Sequence, residues 1–217
     1  MARFAVIGLG TFGGHVVRAL FKQGHEVIAI DRESERVQDL REECSQPIVA
    51  DCTDKPTLHA LGLDSADAVV LSLGQRMDAS ILVTLYLKEM GVRRIVAKAI
   101  SADHGRILEL IGATEIIHPE RDTALRVARA LEARSIVDYL PLGKGFSLAE
   151  VTAPESFVGR TLADIAVRRR YQVSIVAVKN GDDVELVPGG DYVVATGDVL
   201  VLVGRDEDVE RLAHEGE

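Results

Sequence analysis

The chain has 217 residues, 47% of them apolar but only 4% aromatic and none Trp, so its core must rest on Val, Ile, Leu and Ala. That length is long for one domain and short for two average ones. A formal net charge of −9 argues against nucleic acid as a partner, because phosphate backbones select basic surfaces; it leaves room for a local cationic pocket that takes a small phosphate. Cys44 and Cys52 make neither a disulfide framework nor a metal site and read as reduced thiols of a cytoplasmic protein. The chain enters its first strand at once, without the segments of a secretory leader. No apolar run approaches the roughly 18 residues of a membrane span, so a membrane role is expected only by association.

Residues 4–7 are a short apolar strand candidate, residues 11–22 read as a helix, and residues 29–31 close a second strand. Between the first strand and the helix lies Gly8-Leu9-Gly10-Thr11-Phe12-Gly13, and the second strand ends on Asp31. Strand, glycine turn, helix, strand and acid is the order that binds an adenine nucleotide. Gly8 allows a tight turn, Gly10 lets the backbone approach a pyrophosphate, and Gly13 brings the helix close to its strand. The helix start offers free N–H groups to phosphate, and Asp31 can accept from ribose hydroxyls. The plainer alternative is a tight strand–helix turn without a ligand, with Asp31 a solvated strand end.

Strand and helix then alternate. A polar helix covers residues 33–43, a third strand covers 47–51 and ends on Asp51, and a short helix closes at Gly62. Residues 68–73 form a strand with almost no polar break, as a central parallel strand requires. A helix over 78–90, a strand over 95–99, a helix near 106–111 and a strand over 115–117 complete a parallel doubly wound sheet. The helix over 78–90 is apolar around most of its circumference, more than the face of one sheet needs. The surplus points to contact with another subunit.

His118-Pro119-Glu120 opens a helix over 122–134. Pro suits the first turn and an acid there complements the helix dipole. The helical pattern runs on through Ile136 and Tyr139 into a stretch with Pro141 and Gly143 that ends it. Residues 1–135 therefore read as a nucleotide-binding domain, 136–145 as helix end and linker, and 146–217 as a small α+β module. In the last, strands are expected over 146–151, 173–178, 184–187 and 199–203, with Asn180-Gly181 as a hairpin turn and helical pieces over 162–168 and 207–213.

Catalytic chemistry is hard to find. The six His are scattered, no nucleophile–base constellation stands out, and no phosphate loop with Gly-Lys-Ser/Thr is present. Arg168-Arg169-Arg170 reads as a solvated basic face. A nucleotide site without catalytic residues points to a sensor whose ligand shifts a conformational equilibrium. The competing reading is a small NAD(P)-dependent oxidoreductase.

Residues 5–14, 24–31, 97–99 and 116–120 resemble the RCK family, the regulators of potassium conductance, in its Ktr- and Trk-type cytosolic subunits. The resemblance covers nearly the whole chain. It implies a Rossmann-like N-lobe followed by a C-lobe of the TrkA-C type, and a homo-oligomer of dimers in an octameric ring. It also implies a position at the inner membrane face, where the ring gates a potassium-transporting subunit of the Ktr or Trk type. A regulator of a different cation transporter is the variant of that reading. ATP and ADP, or NAD and NADH, would set the ring's shape. By position, Gly8, Gly10 and Gly13 would line the phosphates, with Thr11 and Phe12 in the same turn. Asp31 and Arg32 would lie at the ribose, Asp51 and Cys52 near the adenine, and Lys98 near the phosphates. Glu120 would face a neighbour's nucleotide beside a divalent cation, Mg or Ca, a role that competes with its place at a helix start. Relatives often carry Arg where this chain has Thr11, which cannot make a charge-assisted bidentate contact; the choice between ATP/ADP and NAD(H) therefore stays open. Cyclic di-AMP binding in the C-lobe would involve Ile175, Asn180 and Pro188, against the plainer reading of strand packing and a hairpin.

Overall fold

A computed structural model of the chain describes residues 1–132 and 135–215. It divides into two compact units, Met1–Pro119 and Glu120–Glu217. In the first, β1 (Arg3–Ile7), β2 (Glu26–Asp31), β3 (Gln46–Val49), β4 (Ala68–Leu71), β5 (Ile95–Lys98) and β6 (Glu115–Ile117) form one sheet in the order β3-β2-β1-β4-β5-β6. Every pairing is parallel. The connections carry α1 (Thr11–Lys22), α2 (Ser34–Asp39), α3 (Lys55–Ala60), α4 (Met77–Glu89) and α5 (Ala102–Ile111). This is the Rossmann-like doubly wound sheet expected, with its winding reversing between β1 and β4.

The two faces of β1 feed two cores, as the period of a strand dictates. Ala5 and Ile7 pack with Val83 and Leu87 of α4 and Leu108 of α5. Val6 points the other way, to Val17 of α1 and to Val37 and Leu40 in and just after α2. Part of the apolar surface of α4 is absorbed inside this unit. Ala79, Ser80, Val83, Thr84 and Leu87 are buried, where α4 packs on the sheet and against α5 beside it. Met77 and Leu85 remain 36% and 38% exposed and Ile81, Leu82, Tyr86 and Met90 are half-buried, so an apolar surface remains on α4 for another subunit.

The second unit opens with α6 (Pro119–Glu132); Ala133 and Arg134, expected at its end, lie outside the described residues. Then β7 (Ile136–Gly143), β8 (Phe146–Thr152), β9 (Ser174–Asn180), β10 (Asp183–Leu186) and β11 (Val199–Arg205) form an antiparallel sheet in the order β10-β9-β11-β8-β7. Helices α7 (Leu162–Ile165), α8 (Val167–Tyr171) and α9 (Asp206–Ala213) accompany it.

Residues 136–145 are therefore not helix end and linker: β7 is a strand of the second sheet. The reason for the misreading is visible in the pairing. The register against β8 shifts between Ile136 and Asp138, so that Ile136 and Tyr139 are both buried. Inward residues three apart, produced by an extra residue in the strand, imitate helical spacing. Tyr139 Oη donates to Asp206 at 2.8 Å, tying this edge strand to the start of α9.

A fully buried carboxylate, Asp198, organises the other end of the sheet. It accepts from Asn180 Nδ2 at 2.6 Å, from Tyr192 Oη at 2.9 Å and from the Ala195 N–H at 2.8 Å. Burial and the bond to this carboxylate push the Tyr192 phenol up to about 12. Replacing Asp198 with Ala leaves three donors without their acceptor. Such a loss costs roughly 3 kcal/mol, so Asp198→Ala is expected to lower the urea midpoint of the second unit's transition, read by circular dichroism, while the first unit's transition stays put.

Candidate functional site

The glycine turn joins β1 to α1 at the switch point of the sheet, where ligands enter open parallel folds. Gly8 has φ +92°, and a Cβ there would lie 2.1 Å from the Ser72 carbonyl oxygen, just past β4. A Cβ on Gly13 would lie 1.9 Å from the Gly8 carbonyl oxygen. Both glycines are demanded by packing alone. Gly10 is different: its backbone is extended, with φ −66° and ψ −171°, which any residue adopts, and a Cβ there would meet nothing within 4 Å among the described residues. As the N-cap of α1 it also provides no side-chain cap, so the first N–H groups of the helix are left for an anion.

Asp31, at the end of β2, is buried at 7% exposure and already engaged. One oxygen accepts the Leu9 N–H of the glycine turn at 2.7 Å and the other accepts the Glu33 N–H at 2.9 Å. Arg36 stands 3.7 Å away, shared with Glu33 at 3.2 Å. The carboxylate therefore braces the glycine turn. Sequence reasoning missed both the brace and Arg36; a basic residue one helical turn past the strand-end acid was the only signal.

Asp51 accepts the N–H and hydroxyl of Thr53 at 3.0 and 2.7 Å. Those two bonds hold its carboxyl below the usual range, helped by Arg76 and Arg32. Arg32 and Asp51 are thus brought to one edge of the site, and Arg76, at the start of α4, joins them unforeseen. Burial pushes the Cys52 thiol up to about 12, with the charges of Asp51 and Asp31 adding to the effect; it is inert packing beside the site. Lys98, at the end of β5, carries its Nζ 5.9 Å from the centre of the Phe12 ring in the first turn of α1. The exposed Thr11 lines a cavity of about 390 Å³ beside the turn, together with Gly10, His15, Arg18 and Arg36. Arg18 and Arg36 line that cavity and Lys98 lies over Phe12, so cations reach the helix start of an otherwise acidic chain.

A family model described as the TrkA-N domain matches residues 4–119, and one described as the TrkA-C domain matches residues 147–215. Ktr system potassium uptake protein C of Bacillus subtilis is 40% identical over 208 residues, covering 96% of this chain and 94% of the relative. The chain belongs to the Ktr potassium uptake protein family. Ktr system potassium uptake protein A of Vibrio alginolyticus is 38% identical over 202 residues, 93% of this chain and 92% of that protein. Among solved structures, the GsuK channel bound to NAD superposes with a TM-score of 0.70 at 20% identity, over 100% of this chain and 40% of that one, a likeness of fold. The TrkA-N match stops where the first unit does, at 119, and α6 and β7 fall between the two Ktr family segments.

The remaining candidates lie in the second unit. Glu120 is exposed in the first turn of α6, and no group of three or more His, Cys, Asp and Glu among the described residues is placed to hold a metal. A divalent cation needs several oxygen ligands, so the residues of one chain do not make that site. Ile175 packs partly buried against the second core, Asn180 donates to Asp198, and Pro188 follows Val187, whose φ is +50°. No helix among the described residues is long and apolar enough to cross a membrane.

The brace through Asp31 separates two effects that a binding assay alone merges. Asp31→Ala strands the buried Leu9 N–H, so ligand-free protein is expected to lose about 2 kcal/mol of stability. Asp31→Asn keeps one acceptor and is expected to lose less. Urea unfolding without nucleotide checks both; equal stability of all three proteins would remove the brace.

Proposed function

We propose that this chain is a nucleotide-sensing regulatory subunit of a membrane potassium-transport system, without enzymatic activity of its own. The observation that carries the nucleotide reading is Gly10: the fold has no use for a glycine there, while a phosphate over the start of α1 does. The cations around that helix start, Lys98 and Arg36, favour the same ligand charge. The names of the Ktr relatives support a potassium uptake system as the partner; action at the cytoplasmic face of the membrane belongs to the same reading. Assembly of dimers into a ring, octameric in this reading, would turn nucleotide binding into a change of shape at the membrane subunit. Binding can do so only if the nucleotide prefers one shape of the ring.

The ligand is an adenine nucleotide. Asp31 suits ribose hydroxyls, common to ATP, ADP and NAD(H). Thr11 supplies a hydroxyl and no charge for a terminal phosphate, which places the weight of discrimination on Lys98 and the arginines. Glu120 would need ligands from a neighbouring subunit to hold a cation, and the C-lobe candidates for cyclic di-AMP have structural work of their own.

Calorimetry of the purified chain against ATP, ADP, NAD and NADH, with and without magnesium, tests this reading. At least one is expected to bind at micromolar affinity, and Gly10→Ala to weaken it by about tenfold or more while costing the fold no more than about 1 kcal/mol. Binding of none of them, or useful turnover of NAD(P)H with any substrate, overturns the proposal. Light scattering at micromolar concentration is expected to give a mass above that of a dimer; a monomer contradicts the ring.

A further inference from the structure

The imidazole of His104 is fully buried in the third position of α5. Its Nδ1 accepts the Ile100 N–H at 3.3 Å, so the proton of the neutral ring sits on Nε2. That Nε2 has no hydrogen-bond partner among the described residues. The bond spans the junction between β5 and α5, two residues past Lys98. The same turn is closed by Ser101, whose Oγ accepts the His104 N–H at 3.1 Å. Besides the backbone bonds from the Ala99 N–H to the Ile117 carbonyl at 2.9 Å and from the Gly105 N–H to the Ser101 carbonyl at 3.0 Å, two side-chain bonds therefore hold the loop that follows Lys98, and one of them needs a neutral imidazole.

His118, the residue before α6, reaches the same place. A Cβ on Gly105, the next residue of α5, would lie 3.2 Å from His118 Nε2 and 3.0 Å from Ile116 Cγ2, so Gly105 makes room for this ring. Burial lowers the affinity of His104 for a proton, and the charge of His118 lowers it further. His118 is itself a base and supplies no charge that would compensate a cation at His104. The helix α4, which packs against α5, carries Ser80 and Thr84, hydroxyls that are buried and without hydrogen-bond partners among the described residues.

We infer that His104 is a positioning residue whose neutral ring holds the β5–α5 loop that follows Lys98, and whose protonation releases that loop. Protonating Nδ1 removes the acceptor of the Ile100 N–H and puts a charge into an apolar seam. The closed loop disfavours the proton relative to the open one. Closure is therefore complete above the ordinary His value of 6.5 and is lost as pH falls below it. Any effect on nucleotide affinity rests on the nucleotide reading of the site; the effect on the loop does not.

His104→Asn is the informative variant, since Asn Oδ1 can take the place of Nδ1 as acceptor and does not titrate. Amide exchange at Ile100, corrected for intrinsic rates, is measured near pH 7.5 and near pH 5.8 on both proteins. Wild-type protection is expected to fall about fivefold over that interval, and that of His104→Asn to stay flat. Affinity for ADP and for NAD is read at the same two pH values, and the wild-type to variant ratio is expected to drop in parallel; taking the ratio cancels titration of the ligand. His104→Leu, without an acceptor, is expected to show low Ile100 protection at both pH values. Identical pH profiles of protection in wild type and His104→Asn overturn the inference. If neither nucleotide binds at any pH, the proposed function fails and the exchange experiment still decides this one.

Discussion

Three stretches of backbone meet at the top of the first sheet more closely than any side chain would permit. The Gly8 turn lies against the Ser72 carbonyl, and Gly13 lies against Gly8. That double approach seats the start of α1 on the strand ends, with its N–H groups facing outward. It also brings the Leu9 N–H within reach of Asp31, which locks the turn to the end of β2. Move α1 outward by the width of a methyl group and the brace, the helix start and the Phe12–Lys98 contact are all lost together. The site is a consequence of that packing, and Gly10 is the one position where packing makes no demand.

Electrostatics follows the same geometry. The chain as a whole is acidic, yet the helix start is approached by Arg36 of α2 and by Lys98 at the end of β5, while Arg32 and Arg76 act on Asp51. A field of this kind draws a small polyanion to one place without giving the surface a general taste for phosphate backbones. Beside it burial pushes the Cys52 thiol up to about 12, so it stays protonated.

Much of this was legible in residue order. The glycine spacing, the strand-end acid and the near-unbroken apolar strand at 68–73 specify a parallel sheet with a close-packed glycine turn at its switch point, because each depends on local geometry or on period. One feature misled. The register shift in β7 imitates helical spacing, so a strand was read as the tail of a helix.

What residue order alone determined is the kind of site: a glycine turn, an acid and a helix start at fixed spacings on consecutive elements of one βαβ unit. What only the tertiary structure decided is which side chains serve it and which serve the fold. Asp31 bonds Leu9, Asn180 is held by Asp198, and His104 supports the loop behind Lys98, and each of those relations depends on how strands and helices distant in the chain, or a turn's exact backbone path, bring a donor to its acceptor. Hydrogen bonds need the two groups within about 3 Å and well aligned. Spacing along a sequence carries no information at that precision once the chain has turned back on itself.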